Sequence, residues 1–509
     1  MADWISPYQR GKNLATWLKG HGFTENPFAL REAGREERLS EYFVEGPHYD
    51  EIKGSADDPR TAFVFAARGR GKSAYRVMIQ RSCRPDDRDS PVLAIPYTSF
   101  SRVLAETNGD LSQVTADHHL RAIFVAGLTT FLREFVESPQ GFLKLPRKRQ
   151  RIFKALMNEH ASSLLHPTFL SDRLREWGKE ESADVLEKAA EEEPPGKSLA
   201  SASDPLSRFL HILLVEPAEP LPDGLSLNDR WRALVTLTQR AGLEAVYVLV
   251  DGLDEFAETA VGGPTAISTF LLPLVADISL METSSVAFKF FLPLEVLDML
   301  QESPAVRFDR LERYHLEWHD NQLARMLRGR LQAFSGGHVP SLDAIADVSV
   351  PGSIDAQLVK WAYGSPRKLL LLGDTLLAVH CDREGGSQTL LTEEDLQEVP
   401  NRFGREYGSL VSPLSIDEKQ QRVLIGGRPV RKKLSPLEYE LLWFLYQNAG
   451  EVKSKDDIYL AVYQTTEGVS DEAFDSLVHR LRQKIEVNPK KPAYLITQRG
   501  QGYRLMNVE

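Results

Sequence analysis

The stretch Thr61-Ala62-Phe63-Val64-Phe65-Ala66-Ala67-Arg68-Gly69-Arg70-Gly71-Lys72-Ser73 decides the reading of this 509-residue chain. An apolar run leads into a turn holding two close glycines, and a lysine and a serine open the next segment. The pattern reads as a buried strand, a glycine-rich turn and a helix start. Glycines let backbone N–H groups approach an anion, and a helix N-terminus adds positive potential. Lys72 would reach the β- and γ-phosphates of a nucleoside triphosphate, and the Ser73 hydroxyl would sit on Mg²⁺. The residues expected to line ATP are Ala67, Arg68, Gly69, Arg70, Gly71, Lys72, Ser73 and Ala74. Ala66 stands where the full pattern G-x-x-x-x-G-K-[ST] has its first glycine.

A second segment complements the first. Glu244-Ala245-Val246-Tyr247-Val248-Leu249-Val250-Asp251-Gly252-Leu253-Asp254-Glu255 is an apolar run ending in acids. Such a run suits a strand buried on both faces of a parallel sheet. Carboxylates at its C-terminal end project where α/β sheets place ligands. Mg²⁺ takes hard oxygen ligands, and Asp251 is assigned to it. Glu255, or Asp254, would orient the attacking water.

These two segments resemble the Walker A and Walker B motifs of P-loop ATPases, with the AAA+ and STAND groups nearest. Trp361-Ala362-Tyr363-Gly364-Ser365-Pro366-Arg367-Lys368-Leu369-Leu370 resembles the sensor-2 segment in the helical lid of those ATPases, origin-recognition initiators included. The likeness implies that Arg367 contacts the γ-phosphate. It runs from about Asn26 to about Arg402, with only these short segments matching specifically. The sensor-1 residue expected after the strand Ser285–Leu292 has no polar candidate, because Pro293 and Glu295 follow. Arg307 and Arg310 are candidates for a trans-acting arginine finger. Tyr42 or Phe43 could pack on adenine or in the core.

The last hundred residues differ in character. Leu414-Ser415-Ile416 and Gln421–Ile425 alternate like strands, with Gly426-Gly427 as a hairpin turn. Ser435-Pro436-Leu437-Glu438 is a capping box with proline at the first helical position. Ser454 begins a second helix and Ser470 a third, whose apolar stripe is Phe474, Leu477, Val478, Leu481 and Ile485. A final hairpin spans Tyr494 to Met506. The segment closely resembles the OmpR/PhoB-type winged helix of bacterial response regulators, through Leu434–Glu438, His479–Ile485 and Thr497–Arg504. No receiver domain is read upstream of it.

In that family the third helix enters the major groove and the wing meets phosphates. The implied DNA-binding residues are Arg431, Lys432, Lys433, His479, Arg480, Arg482, Lys484, Arg499 and Arg504. Against this stand Asp471, Glu472 and Asp475 at the start of the third helix. Residues 411–509 hold fifteen Lys/Arg and thirteen Asp/Glu, a net of +2, only a partial basic footprint. Duplex DNA and a protein partner are therefore both retained as occupants of residues 411–509.

The fold expected is α/β: a P-loop NTPase with parallel sheet and helical insertion, a helical lid, then an α+β winged-helix domain. The boundaries are 1–50 for an N-terminal segment packing on the ATPase core, 51–318 for the core, with an insertion at about 111–240, 319–408 for the lid and 411–509 for the winged helix. Helices are expected at His119–Glu137, Arg147–Glu159, Leu170–Trp177 and Leu206–Leu214, and a linker at Glu180–Pro205. The basic run Lys144–Arg151 reads as a solvated helix face, and His315 with His319 as a structural pair. Cys83 and Cys381 alone exclude a disulfide framework. A net charge of −11 argues against indiscriminate nucleic-acid coating. No apolar run of spanning length and no leader pattern are read, and the winged-helix likeness implies the cytoplasm of a bacterium; a homo-oligomer without membrane contact is expected.

Overall fold

The computed structural model describes residues 7–46, 48–83, 91–192, 197–222, 224–387, 389–407, 410–411, 413–418, 420–426, 428–430, 432–464, 471–486, 489–490, 492–498 and 500–508. Contacts divide the chain into two compact units. One comprises Pro47–Arg68 and Lys72–Leu316; the other comprises Met1–Gly46, Gly69–Gly71 and Glu317–Glu509.

The first unit is built on five strands. They are β1 (Ala62–Ala66), β2 (Val92–Tyr97), β3 (Ala245–Val250), β4 (Val286–Pro293) and β5 (Glu312–His315). Their order is β2-β3-β4-β1-β5, and every pairing is parallel. Strands β1, β3 and β4 are buried along their whole length. Unbroken apolar runs such as Phe63-Val64-Phe65 satisfy a sheet covered on both faces, where an alternating pattern would not. Because all strands run one way, the carboxyl ends of β1 and β3 lie on one edge with only β4 between them. Two strand spacings separate them, roughly 10 Å.

The connection from β2 to β3 is a helical insertion. It includes Ala116–Glu137, Arg147–His160, Pro167–Glu176 and Pro205–Leu214. Phe131, Phe135, Phe142, Phe153 and Phe209 form its aromatic centre, continuous with the sheet core. The expected linker at Glu180–Pro205 is corrected by the structure: Glu180–Ala190 is a helix, and Lys197–Ser201 another. Ala183, Leu186 and Ala189 recur every third residue and are buried, so a narrow small-residue stripe overrides an acidic composition.

The expectation that no apolar run reaches spanning length is corrected by one helix of this unit, Ala257–Ala276, which is long and apolar enough to cross a membrane by length and composition. It breaks at Gly263 (φ 62°), and its Ile267, Phe270, Leu271 and Leu274 pack in the sheet core.

In the second unit, the helices Asp320–Phe334, Ile354–Ala362, Pro366–Glu384 and Glu393–Tyr407 form a bundle, and the N-terminal segment packs on it. Trp17 is fully buried, and its indole N–H donates to Thr389 O (2.9 Å). Arg330, 2% exposed, donates to Glu36 (2.6 Å), to Pro27 O and to the Tyr42 hydroxyl. Tyr42 is thus a core residue holding a buried cation.

The same unit contains the winged helix. Strands β6 (Leu414–Asp417), β7 (Arg422–Ile425) and β8 (Arg428–Pro429) form one antiparallel sheet, with Gly426 at φ +57° turning β7 into β8. Three helices come next: Pro436–Gln447, Lys455–Tyr463 and Asp471–Ile485. Strands β9 (Leu495–Gln498) and β10 (Gly502–Leu505) make the wing. Ser435 with Glu438, and Ser454 with Asp457, close reciprocal capping boxes. Ser470 and Gly427 lie outside the described residues.

A Cβ at Gly373 would lie 2.5 Å from the ring of the buried Phe28. Gly373→Ala is therefore expected to destabilise the second unit by about 1–3 kcal/mol. Chemical denaturation of the pure protein checks this.

Candidate functional site: the phosphate turn and the winged helix

Within the first unit, the two motifs meet. Lys72 opens the helix Lys72–Ser82 directly after the turn and is 6% exposed. Its ammonium donates to Ala66 O (3.1 Å) and lies 3.4 Å from Asp254 Oδ2. Asp251, 3% exposed, leaves the end of β3 with its backbone N–H donating to Tyr97 O (3.3 Å). The segments are far apart in sequence, yet parallel pairing brings their ends to one sheet edge. Gly252 follows with φ +89°, a conformation that costs a side-chain-bearing residue. This reversal carries Asp254 back toward Lys72. Glu255 is exposed in the same turn, and its N–H donates to Gly252 O (3.1 Å).

A second cation, which no sequence motif marks, completes the cluster. Arg76 Nε lies 3.1 Å from Asp251 Oδ2, and Arg76 Nη1 donates to Gln80 (2.9 Å). Arg76 is one helical turn after Lys72, so the two cations share a helix face. That spacing is legible, but no motif names it. Asp251 Oδ1 is buried and has no hydrogen-bond partner among the described residues. A buried carboxylate oxygen without a donor is costly, and a hard cation is the partner it suits. Ser73 lies one residue after Lys72 and could supply a second oxygen, so the donor set fits Mg²⁺.

At the end of β4, between β1 and β3, stand Leu292 and Pro293, so no polar side chain occupies the sensor-1 position. Arg307 pairs with Asp309 (2.9 Å), and Arg310 with Glu282 (3.1 Å), all at the surface.

Within the second unit, the tip of the turn is held closely. Gly69 and Gly71 have φ of +77° and +88°. Gly69 O accepts from Ser365 Oγ (3.2 Å) and from the Arg367 N–H (3.3 Å). A Cβ on Gly69 would come within 3.1 Å of Ser365 Oγ, so both conformation and space require glycine there. The Trp318 indole donates to Arg70 O (2.8 Å). The Arg70 guanidinium is buried and donates to Tyr363 O (2.6 Å) and to Gly426 O. Gly69 and Arg70 are therefore both held by residues of the Tyr363–Arg367 segment. Burial, with the Arg70 charge nearby, pushes the Lys368 ammonium down to about 8.

The winged helix spends several of its cations on itself. Arg482 donates to Leu495 O (2.7 Å) and Thr497 Oγ1 (2.7 Å). Lys484 donates to Lys433 O (3.0 Å) and Glu438 Oε2 (2.5 Å). Arg480, 60% exposed, lies 3.8 Å from Glu438, Lys432 and Lys433 are exposed, and His479 bonds Gln483 (3.1 Å). Arg504 is half-buried, with its Nε unpartnered among the described residues. Arg431 and Arg499 lie outside the described residues. Two of the three acids opening the third helix have partners: Asp471 accepts from Lys455 (2.8 Å) and Tyr459 (2.7 Å), and Asp475 from Tyr503 (3.4 Å). Glu486, which no motif singles out, accepts the backbone N–H groups of Ala493, Tyr494 and Leu495 and so fixes the entry to the wing.

The profile of the family described as "Transcriptional regulatory protein, C terminal" matches residues 429–505. The sensory transduction protein RegX3 of Mycolicibacterium smegmatis is 33% identical over 103 residues, which cover 20% of this chain and 44% of RegX3. The chain spans less than half the length of the curated relatives it matches first. The Klebsiella pneumoniae RstA DNA-binding domain, solved in complex with the RstA box, is 29% identical and covers 19% of this chain and 92% of its own, with a TM-score of 0.17. The Aeropyrum pernix ORC1 protein, solved in complex with DNA, is 11% identical over 94% of both chains, with a TM-score of 0.35. The C-terminal residues thus form a winged helix of the OmpR/PhoB type, joined to a chain whose core is a five-stranded parallel sheet.

Burial tends to raise the Glu438 carboxyl, but the bonds from Lys484 and Ser435 outweigh it and hold it below its ordinary value. A lowered carboxyl stabilises the fold above the unfolded pKa of about 4.3, and that stability is lost as pH falls through the folded value. Lys484→Ala leaves this carboxylate the Ser435 N–H and the more distant Arg480, and is expected to cost about 2 kcal/mol at pH 7. The deficit shrinks in acid, as denaturant melts at pH 7 and below pH 4 will report.

Proposed function

We propose that this chain is a Mg²⁺-dependent ATP-binding switch, hydrolysing ATP, whose C-terminal winged helix binds duplex DNA. The observation that carries the reading is the convergence of Lys72, Asp254 and Asp251 at one sheet edge, with Asp251 Oδ1 buried and unpartnered. ATP lies along Ala67–Ala74, its phosphates on the backbone N–H groups of the turn and the start of the helix. The Lys72 ammonium, held now by Ala66 O and Asp254, exchanges the carboxylate for phosphate oxygens. Ser73 and Asp251 would hold Mg²⁺, which would supply charge neutralisation for the phosphates. Glu255 orients the attacking water, and Arg367 carries the state of the γ-phosphate to the lid 319–408.

DNA binding follows from the likeness to response-regulator output domains, with His479, Arg480, Lys432 and Lys433 as the exposed donors. One such domain contacts few phosphates. Homo-oligomerisation would present several together and raise affinity through effective concentration. The cellular roles that fit are transcription control, initiator-like action on DNA, or phage defence, in a bacterial cytoplasm.

A second reading has its own support. Arg482 and Lys484 are consumed within the domain, which shrinks the basic footprint. A nucleotide-binding scaffold whose winged helix docks a protein would need no more.

Turnover and duplex-DNA binding, measured together, test the proposal. Lys72→Ala should weaken ATP binding at least tenfold, while Glu255→Gln should keep ATP affinity and lose about 10²-fold or more in turnover. Arg480→Ala should weaken DNA binding and reduce its salt slope by about one. ATP binding without turnover, together with no salt-dependent DNA affinity, would select the scaffold.

A further inference from the structure

The helix that begins with Lys72 does more than follow the phosphate turn. Its Arg76 reaches Asp251 through one oxygen only, with Nε 3.1 Å from Oδ2 and both side chains largely buried, 13% and 5% exposed. The other oxygen, Oδ1, has no donor among the described residues. One turn earlier on the same helix face, Lys72 faces Asp254 in the same way. Each acid at the tip of β3 thus has one cation from one helix. Lys72 has a known alternative destination in any phosphate-binding turn of this type, but Arg76 has no place in that motif.

We propose that Arg76 is a resident counter-cation for Asp251, compensating that carboxylate in the metal-free protein and thereby setting how much Mg²⁺ the site needs. This rests on the reading of Asp251 as a Mg²⁺ ligand. A carboxylate this buried is costly when alone. A guanidinium stays charged at every working pH, so it compensates Asp251 whenever metal is absent. Mg²⁺ arriving at the same carboxylate neutralises it again and stands close to a fixed positive charge. The arginine therefore stabilises the metal-free form more than the metal-bound form, and by linkage it weakens Mg²⁺ binding. Arg76 acts through Asp251, as a positioning residue of the metal-free site.

The test titrates Mg²⁺ into the full chain with a fluorescent, non-hydrolysable ATP analogue, and records melting temperatures with and without Mg²⁺. For Arg76→Gln the Mg²⁺ concentration that half-saturates nucleotide binding should fall by about tenfold, within the usual range of such couplings. Arg76→Lys, which keeps the charge, should stay close to the unmodified protein. Without Mg²⁺ the Arg76→Gln protein should melt lower than the unmodified one, and saturating Mg²⁺ with the analogue should close most of that gap. A purely structural arginine would leave the gap the same in both conditions and the Mg²⁺ requirement unchanged. That result, or a raised requirement, overturns the inference while leaving Mg²⁺-dependent nucleotide binding intact. If the unmodified chain binds no analogue at any Mg²⁺ concentration, both the inference and the reading beneath it fall. Asp251→Asn supplies a second check in case Arg76→Gln folds poorly: with the carboxylate gone, adding Arg76→Gln should lower the melting temperature little further. Full additivity of the two losses would count against the pairing.

Discussion

Two carboxylates at the tip of one buried strand need positive charge, and one helix face supplies it. Asp251 is buried and Asp254 is mostly so; without Arg76 and Lys72 their ionised forms would be expensive. The pairing is possible only because β1 and β3 run parallel with a single strand between them. That order in turn requires strands apolar on both faces, such as Phe63-Val64-Phe65 and Val246–Val250. The sheet order and the charge cluster therefore explain one another.

This arrangement leaves the cluster ready to exchange partners. Lys72 is held by a backbone carbonyl and a carboxylate at moderate distances, neither of which forms a rigid bidentate pair. A triphosphate would outcompete Asp254 for it by charge alone. At the other end of the chain, the winged helix follows the opposite economy, tying Arg482, Lys484 and Glu438 into its own framework. Lys432 and Lys433 stay exposed, and Arg480 is 60% exposed at 3.8 Å from Glu438.

Much of the fold and the site is legible in the sequence. The P-loop stretch and the acidic run of β3 each carry a local pattern, and the capping boxes at Ser435 and Ser454 announce their helices. Other parts depend on long-range contacts that no local pattern carries. Arg76 sits in an ordinary helical position, and only the return of Asp251 from 175 residues away gives it a role. Glu486 looks like a surface acid until three backbone amides of the wing entry turn toward it. Glu180–Ala190 reads as a linker because its acidity outweighs a stripe of two alanines and a leucine; neighbouring helices bury that stripe. Asp471 and Asp475 look repulsive to DNA because their partner, Lys455, belongs to the helix before.

The most direct measurement is equilibrium binding of ATP to the purified full chain by calorimetry, with Mg²⁺ and with a chelator, beside Lys72→Ala. Saturable binding that Mg²⁺ strengthens and Lys72→Ala weakens at least tenfold is expected. No heat of binding under any condition, or binding indifferent to both Mg²⁺ and Lys72, would contradict a nucleotide site at this sheet edge.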